Sequence, residues 1–203
     1  MKVATEKYDV QGEGWSTRAY ADSASYLAHR AAMVLQIGPE LREGDTLLDL
    51  ACGDGGIADF FPQWLTYTGV DASEPMVAAA RAADHHVVHG DLNEYVPPEP
   101  VAATTCFRAV YYARDRRAFF ALARSYTERK LVFDLNPRQY RLGDVAADLR
   151  GAGFEHLELR PFFVPQRIRL PGPLAAGLRA LEGTGPLARL LLRFRFTYVF
   201  AAS

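Results

Sequence analysis

The chain has 203 residues, 49% hydrophobic and 23% charged, and its 23 Lys and Arg nearly balance 24 Asp and Glu for a net charge of −1. That length fits one compact domain, and the balance of charge excludes the broad cationic surface of a nucleic-acid binder. Two cysteines, Cys52 and Cys106, lack any CxxC spacing, which excludes a disulfide framework or a zinc knuckle and suits a reducing cytoplasm.

Residues 1–15 carry two glycines and no apolar periodicity, so the sequence predicts a mobile arm. The opening Met1–Asp9 is polar and lacks a secretory core, and no apolar run reaches the length of a membrane span. From Ser16 to Ile37 the pattern is helical, with Tyr20, Tyr26, Leu27, Ala31, Val34 and Leu35 mostly on one side, and Gly38-Pro39 stops it. A first strand, Thr46–Leu50, runs into the glycine turn Ala51-Cys52-Gly53-Asp54-Gly55, which is expected to open a helix from Gly56 to Trp64.

The second strand, Thr66–Val70, ends at Asp71; Ser73 is a plausible N-cap for a helix over Pro75–Ala83. A third strand, His85–His89, ends in Gly90-Asp91. The histidine pair at its start lacks a third ligand for a metal. After the break Pro97–Pro100 come a strand Val101–Cys106, a helix Asp115–Tyr126, a strand Lys130–Leu135 and a helix Leu142–Gly151. Strand–helix alternation at this rhythm calls for a doubly wound α/β sheet, mostly parallel and covered on both faces. Phe154–Val164 reads as a strand, 165–193 as a helical lid and Phe194–Ala201 as a last strand.

Three successive strands deliver an acid to one sheet edge: Asp49, Asp71 and Asp91. In an open parallel sheet that edge is where ligands bind. A single such acid is readily explained as a helix cap; three in succession beside a glycine turn are not. Two cofactors compete for the turn. Gly53-Asp54-Gly55-Gly56-Ile57-Ala58 satisfies a dinucleotide fingerprint, in which Asp71 holds a ribose. A pyrophosphate would then face Asp49 and Asp54, and like charges about 4–6 Å apart cost on the order of a few kcal/mol at an effective dielectric near 20. A cationic ligand reverses that sign. The sulfonium, ammonium, ribose diol and adenine amine of S-adenosylmethionine all suit acids or carbonyls.

These residues also form a recognisable set. Leu48 to Gly55 resembles motif I of the class I S-adenosylmethionine-dependent methyltransferases, Gly69-Val70-Asp71-Ala72-Ser73 with Met76 resembles their acidic-loop motif, and His89-Gly90-Asp91-Leu92 their adenine-binding segment. The resemblance, over 16–203, implies a Rossmann-like seven-stranded sheet with an antiparallel last strand. It implies cofactor contacts at Asp49, Ala51, Gly53, Gly55, Asp71, Ala72, Met76, Asp91, Leu92 and Phe107. Ala51 departs from the pattern, standing where the family has its first glycine, and Glu99-Pro100 replaces an acid often found before the fourth strand.

The family's acceptor regions correspond here to Tyr20, Tyr26 and His29, then Phe107, Arg108, Tyr111 and Tyr112, then Asp134 and Asn136. Tyr26 and His29 are equally suited to packing the first helix on the sheet, and Asn136-Pro137 to a plain turn. From Arg160 to Arg195 seven arginines face a single acid, Glu182, among regularly spaced leucines. A solvated face over a packed one explains this, ahead of a membrane surface, a hydrophobic or anionic acceptor, or a homodimer contact. The expectation is methyl transfer by in-line displacement to a small molecule, in a cytoplasmic monomer or homodimer. A binding-only or cyclase-like relative stands second and a nicotinamide-dependent oxidoreductase third.

Overall fold

A computed structural model describes residues 15–136, 139–183, 185–186, 190 and 197–203. The arm expected at 1–15 lies outside these residues except for Trp15, and so does much of the stretch from 187 to 196. The chain enters through α1 (Trp15–Ala19) and α2 (Ser23–Gln36), where the sequence predicts one helix. The break falls at Asp22, whose carboxylate accepts from Ser25 N and starts a new helix. Tyr26, Leu27, Ala31 and Val34 give α2 its buried stripe. Lys130 seats its other end: the fully buried side chain donates through Nζ to the carbonyls of Val34 (2.7 Å) and Ile37 (2.8 Å). These are helix-terminal acceptors with no partner inside the helix.

The strands are β1 (Thr46–Leu50), β2 (Thr66–Asp71), β3 (Val87–His89), β4 (Val101–Cys106), β5 (Thr127–Leu135), β6 (Leu157–Phe162) and β7 (Thr197–Ala202). They form the seven-stranded sheet expected, in the order β3-β2-β1-β4-β5-β7-β6. The first five strands are parallel; β7 runs antiparallel to both β5 and β6. The chain starts at mid-sheet, winds out to β3 and returns to place β4 beside β1, which creates a switch point between β1 and β4. Helices α3 (Glu74–Ala82), α4 (Arg116–Tyr126) and α5 (Leu142–Gly151) cover one part of the sheet each. Leu48, Leu50, Phe120, Phe133 and Phe200 fill one core, while Leu47, Ala103, Val132 and Val199 pack with α2 in the other. Successive strand residues point to opposite faces, so β1 is buried on both.

The helix expected from Gly56 to Trp64 is absent. One turn of 3-10 helix, Ala58–Phe60, stands in its place. Pro62 cannot donate to a helix and forces its predecessor out of the helical region; Phe61 is extended at φ −85°, ψ 148°. The glycine turn therefore has no helix dipole behind it.

After β6 comes α6 (Gly172–Glu182), the described part of the lid. Its terminal Glu182 is buried, accepts from Phe163 N at 2.7 Å and lies 2.6 Å from His29 Nε2, while Arg179 donates to Ser25 Oγ at 2.6 Å. These bonds fasten α6 to α2 and β6. Among the described residues no helix is long and apolar enough to cross a membrane.

Two residues of the β1 segment are under particular constraint. Asp49 is only 3% exposed, on the Leu47 face of the strand, and accepts from Thr105 Oγ1 (2.6 Å) and Tyr67 OH (3.0 Å). Burial pushes its carboxyl up to about 6 against those two bonds. Ala51 takes a left-handed backbone, φ 57°, where the family's glycine would be unstrained.

Both constraints are measurable. The folded state holds the Asp49 proton more tightly than the unfolded chain, so stability from this group falls as pH rises from about 4 through about 6. Asp49→Asn should gain about 2–3 kcal/mol on the wild type between pH 4.5 and pH 7.5 in urea unfolding; a pH-independent difference would contradict the buried proton. Ala51→Gly should raise stability by about 0.5–1 kcal/mol, the left-handed cost of alanine less the chain entropy of glycine. A lowered melting temperature for this variant would show that the turn is relaxed with alanine.

Candidate functional site

The carboxyl ends of β1, β2, β3 and β4 open into one cavity of about 560 Å3 at the switch point. Each strand sends its exit loop to a different wall. Ala51 and Gly53 come from β1; Asp71, Ala72, Ser73 and Met76 follow β2; Gly90 to Asn93 follow β3; Phe107 to Ala109, Tyr111, Tyr112 and Arg114 follow β4. Trp15 of α1 closes the remaining side.

On the β1–β3 side the wall is acidic and partly apolar. The Asp71 carboxylate accepts from Gly53 N (2.8 Å) and Ser73 N (2.9 Å), tying the turn after β1 to the turn after β2. Burial raises its pKa against the pull of those amides, Ser73 N first. Two carboxylate oxygens offer about four acceptor positions, so hydroxyl donors from the cavity can still be received. Asp91 accepts from the amide and side chain of Asn93 and from Arg114 Nη2 at 3.1 Å. Arg114 in turn donates to Glu94 at 2.7 Å. Met76 and Leu92, both nearly fully buried, supply the apolar surface between these acids. Gly90 leaves little room for a side chain: a Cβ there would sit 3.0 Å from the Tyr95 ring and 3.1 Å from Val70, so both would have to give by a few tenths of an ångström.

The β4 side is aromatic and basic. Phe107, Tyr111 and Tyr112 follow the strand end, with Tyr111 43% exposed and its ring centroid 4.3 Å from that of Tyr112. Arg108 adopts φ 56°, a strained conformation for a long side chain, and its backbone N–H donates to Asp134 at the end of β5. The other oxygen of Asp134 receives Arg30 Nη2 at 2.7 Å. Arg30 is almost wholly buried, with its guanidinium 4.4 Å from the Phe107 ring centroid and 4.9 Å from that of Tyr26.

Of the residues expected from sequence, this geometry gathers Ala51, Gly53, Asp71, Ala72, Met76, Asp91, Leu92, Phe107, Arg108, Tyr111 and Tyr112 around one cavity. It leaves others outside. Asp49 is spent on Thr105 and Tyr67. Gly55, at φ 73°, faces His85, which a Cβ would approach to 2.9 Å. Tyr20 and Tyr26 are buried and stacked at 4.2 Å, Tyr26 receives Arg30 Nη2, and burial pushes the Tyr26 phenol up to about 12. His29 is engaged with Glu182, and Asn136 is exposed in a turn whose carbonyl receives Gln139 N. No described residue of 165–193 lines the cavity, so acceptor choice cannot be assigned to that part of the lid. Sequence reading missed Trp15, Asn93 and Arg114 in the lining. Trp15 is an aromatic at the border of a segment read as an arm, and Arg114 carries a signal only through its distant partner Asp91.

Residues 47–130 match the family described as methyltransferase domain, which spans β1 to the start of β5 and so the whole acidic wall. No curated protein matches the sequence at a significant level. Among solved structures, a chain from the Haloferax volcanii complex of the Trm112 methyltransferase activator with a methyltransferase superposes with TM-score 0.66 at 20% identity, over 96% of each chain. The TehB-like S-adenosylmethionine-dependent methyltransferase of Corynebacterium glutamicum gives 0.62 at 16% identity over 100% of this chain and 99% of its own. Haemonchus contortus phosphoethanolamine N-methyltransferase 2, solved with S-adenosyl-L-methionine, gives 0.60 at 17% identity over 86% of this chain and 51% of its own. Such low identities establish the shared fold alone. The domain match covers 47–130, so that segment resembles a methyltransferase domain, on a sheet whose order is shared with S-adenosylmethionine-dependent methyltransferases.

Proposed function

We propose that this chain, read as one domain over 1–203, transfers a methyl group from S-adenosylmethionine to a small-molecule acceptor held at the β4 end of the cavity, in the cytoplasm. The observation that carries this reading is the Asp71 carboxylate, which ties two backbone turns at the cavity wall and keeps acceptor capacity for a ribose diol. Asp91 and Leu92 suit the adenine, Met76 and Ala72 its apolar faces, and the Ala51–Gly53 turn the amino-acid end. Bound there, the cofactor supplies an activated methyl on a sulfonium. The chain's part is then to align the acceptor and keep water away, which Trp15, Phe107, Tyr111 and Tyr112 are placed to do.

The oxidoreductase alternative loses its main support. A dinucleotide's pyrophosphate needs the positive end of a helix at the glycine turn, and here only one 3-10 turn follows, with Asp54 beside it accepting from Ser16 N at 2.8 Å. A relative that binds the cofactor without methyl transfer is separated by the acceptor test.

Calorimetry should show S-adenosylhomocysteine binding and no comparable NADH binding; the reverse result would sink the assignment. Asp71→Asn should weaken S-adenosylhomocysteine by roughly 10-fold to 100-fold, the loss of charge-assisted hydrogen bonds worth about 1.5–3 kcal/mol. Unchanged affinity would show that Asp71 serves only the backbone. A panel of phenols, amines and carboxylic acids, read by S-adenosylhomocysteine release, should yield at least one methylated product; release with none of them points to the binding-only relative or a macromolecular acceptor.

A further inference from the structure

The cavity is polarised. Its β1–β3 wall carries Asp71 and Asp91, while its β4 wall carries two arginines in unlike states. Arg114 is half exposed and neutralised by Glu94 and Asp91. Arg108 is not. Among the described residues its guanidinium has no carboxylate partner. Its one side-chain hydrogen bond is a long 3.4 Å contact from Nη1 to Tyr20 OH, and it otherwise lies 5.7 Å from the ring centroids of Trp15 and Tyr20.

The surroundings make that state more telling. Arg108 sits near a second guanidinium, Arg30, and the two share a single carboxylate, Asp134, whose oxygens go to the Arg108 backbone and the Arg30 side chain. Within hydrogen-bonding distance the two arginines thus have one carboxylate between them, and Asp49 acts through space on Arg30. The guanidinium without a bonded carboxylate is that of Arg108, the member that faces the cavity. A half-buried cation short of donors' partners costs free energy that an incoming anion recovers. The backbone strain at φ 56° is held in place by the bond to Asp134, which fixes where the fork begins.

We infer that Arg108 binds an oxyanion carried by the acceptor, so that the substrate is an apolar or aromatic molecule bearing a carboxylate or phosphate. This rests on the reading that the β4 end of the cavity receives the acceptor. Phe107, Tyr111, Tyr112 and Trp15 form the surface for the apolar body, and the guanidinium fork anchors the charged end and sets which atom is offered for methylation. A planar carboxylate meets that fork with two parallel bonds; a phosphate meets it as readily.

The test uses the whole chain, with 4-hydroxybenzoate and phenyl phosphate as probes and methyl 4-hydroxybenzoate and phenol as their neutral counterparts. Binding is measured by calorimetry with and without S-adenosylhomocysteine. The wild type should bind one of the anions at least about 10-fold more tightly than its neutral counterpart, and the preferred anion tells carboxylate from phosphate. Arg108→Gln should weaken that anion by roughly 10-fold to 100-fold and leave its neutral counterpart within about twofold, while Arg108→Lys restores phosphate better than carboxylate. S-adenosylhomocysteine binding by each variant reports an intact fold. Equal binding of anion and neutral probe by the wild type, an unchanged preference in Arg108→Gln, or no anion binding overturns the inference even if methyl transfer is observed. Anion selectivity without S-adenosylhomocysteine binding supports Arg108 while refuting the cofactor assignment.

Discussion

The site depends on one repeated interaction: a carboxylate at the end of a strand takes a backbone N–H from the loop that leaves the neighbouring strand. Asp71 of β2 holds Gly53 after β1, and Asp134 of β5 holds Arg108 after β4. The two held residues lie on either side of the switch point, and both have positive φ, 61° at Gly53 and 56° at Arg108. A charge-assisted hydrogen bond to an amide is worth about 1.5–3 kcal/mol, against about 1–2 kcal/mol for a left-handed residue that is not glycine. The bond is therefore strong enough to hold even an arginine in a conformation it disfavours. Both loops are turned sharply at the strand end, and the cavity is the space that they leave.

That arrangement separates charge along the cavity. The parallel strands bring Asp71 and Asp91 to one end, where a cationic, hydroxyl-rich ligand is matched, and Asp134 draws Arg108 to the other. Asp49 does not share in this. It stands one strand pair deeper, between Thr105 and Tyr67, and with a value near 6 it is only partly ionised at the lower end of the physiological range. The acid that seemed to head the motif serves the sheet, and Asp71 is the one that lines the cavity.

How much of this was legible in the sequence follows from the range of the forces involved. The strands, their order of appearance and the acids at their ends are local patterns of apolar runs and turn residues, and they were read correctly for β1, β2, β4 and most of β5. The helix after the turn failed because the weight placed on Gly55-Gly56 passed over Pro62, which forces Phe61 out of the helical region and leaves room for a single 3-10 turn before it. The burial of Asp49 was readable in part: Leu47-Leu48-Asp49-Leu50 is apolar on both sides, so an acid within it must find partners inside. Its partners, Tyr67 and Thr105, are 18 and 56 residues away and left no mark near it. Tyr20, Tyr26 and His29 were placed at the acceptor for want of the same knowledge. Arg30, the cation bonded to Tyr26, looks in the sequence like one more polar residue on a helix, and Glu182, the partner of His29, lies 153 residues away.

Arg30 also explains why the second core can be polar without being weak. A buried guanidinium without a carboxylate is among the costlier groups a protein can hold, and Asp134 answers it at 2.7 Å while Tyr26, Phe107 and Phe162 stack around it. Tyr20 stacks on Tyr26 and carries the chain of contacts to Arg108 at the cavity wall. On the far side His29 lies against Phe162 and meets Glu182, which brings α6 down onto α2. Helix α6, helix α2 and the β4 wall of the cavity are thus joined through one aromatic and ionic layer. Since Asp134 is, among the described residues, the one carboxylate bonded to both arginines, removing that charge disturbs the layer from the α2 face to the cavity, whereas a change of the Arg108 side chain is confined to the wall. Arg108 is for that reason the member of the layer whose side chain can change with least effect on α2 and α6.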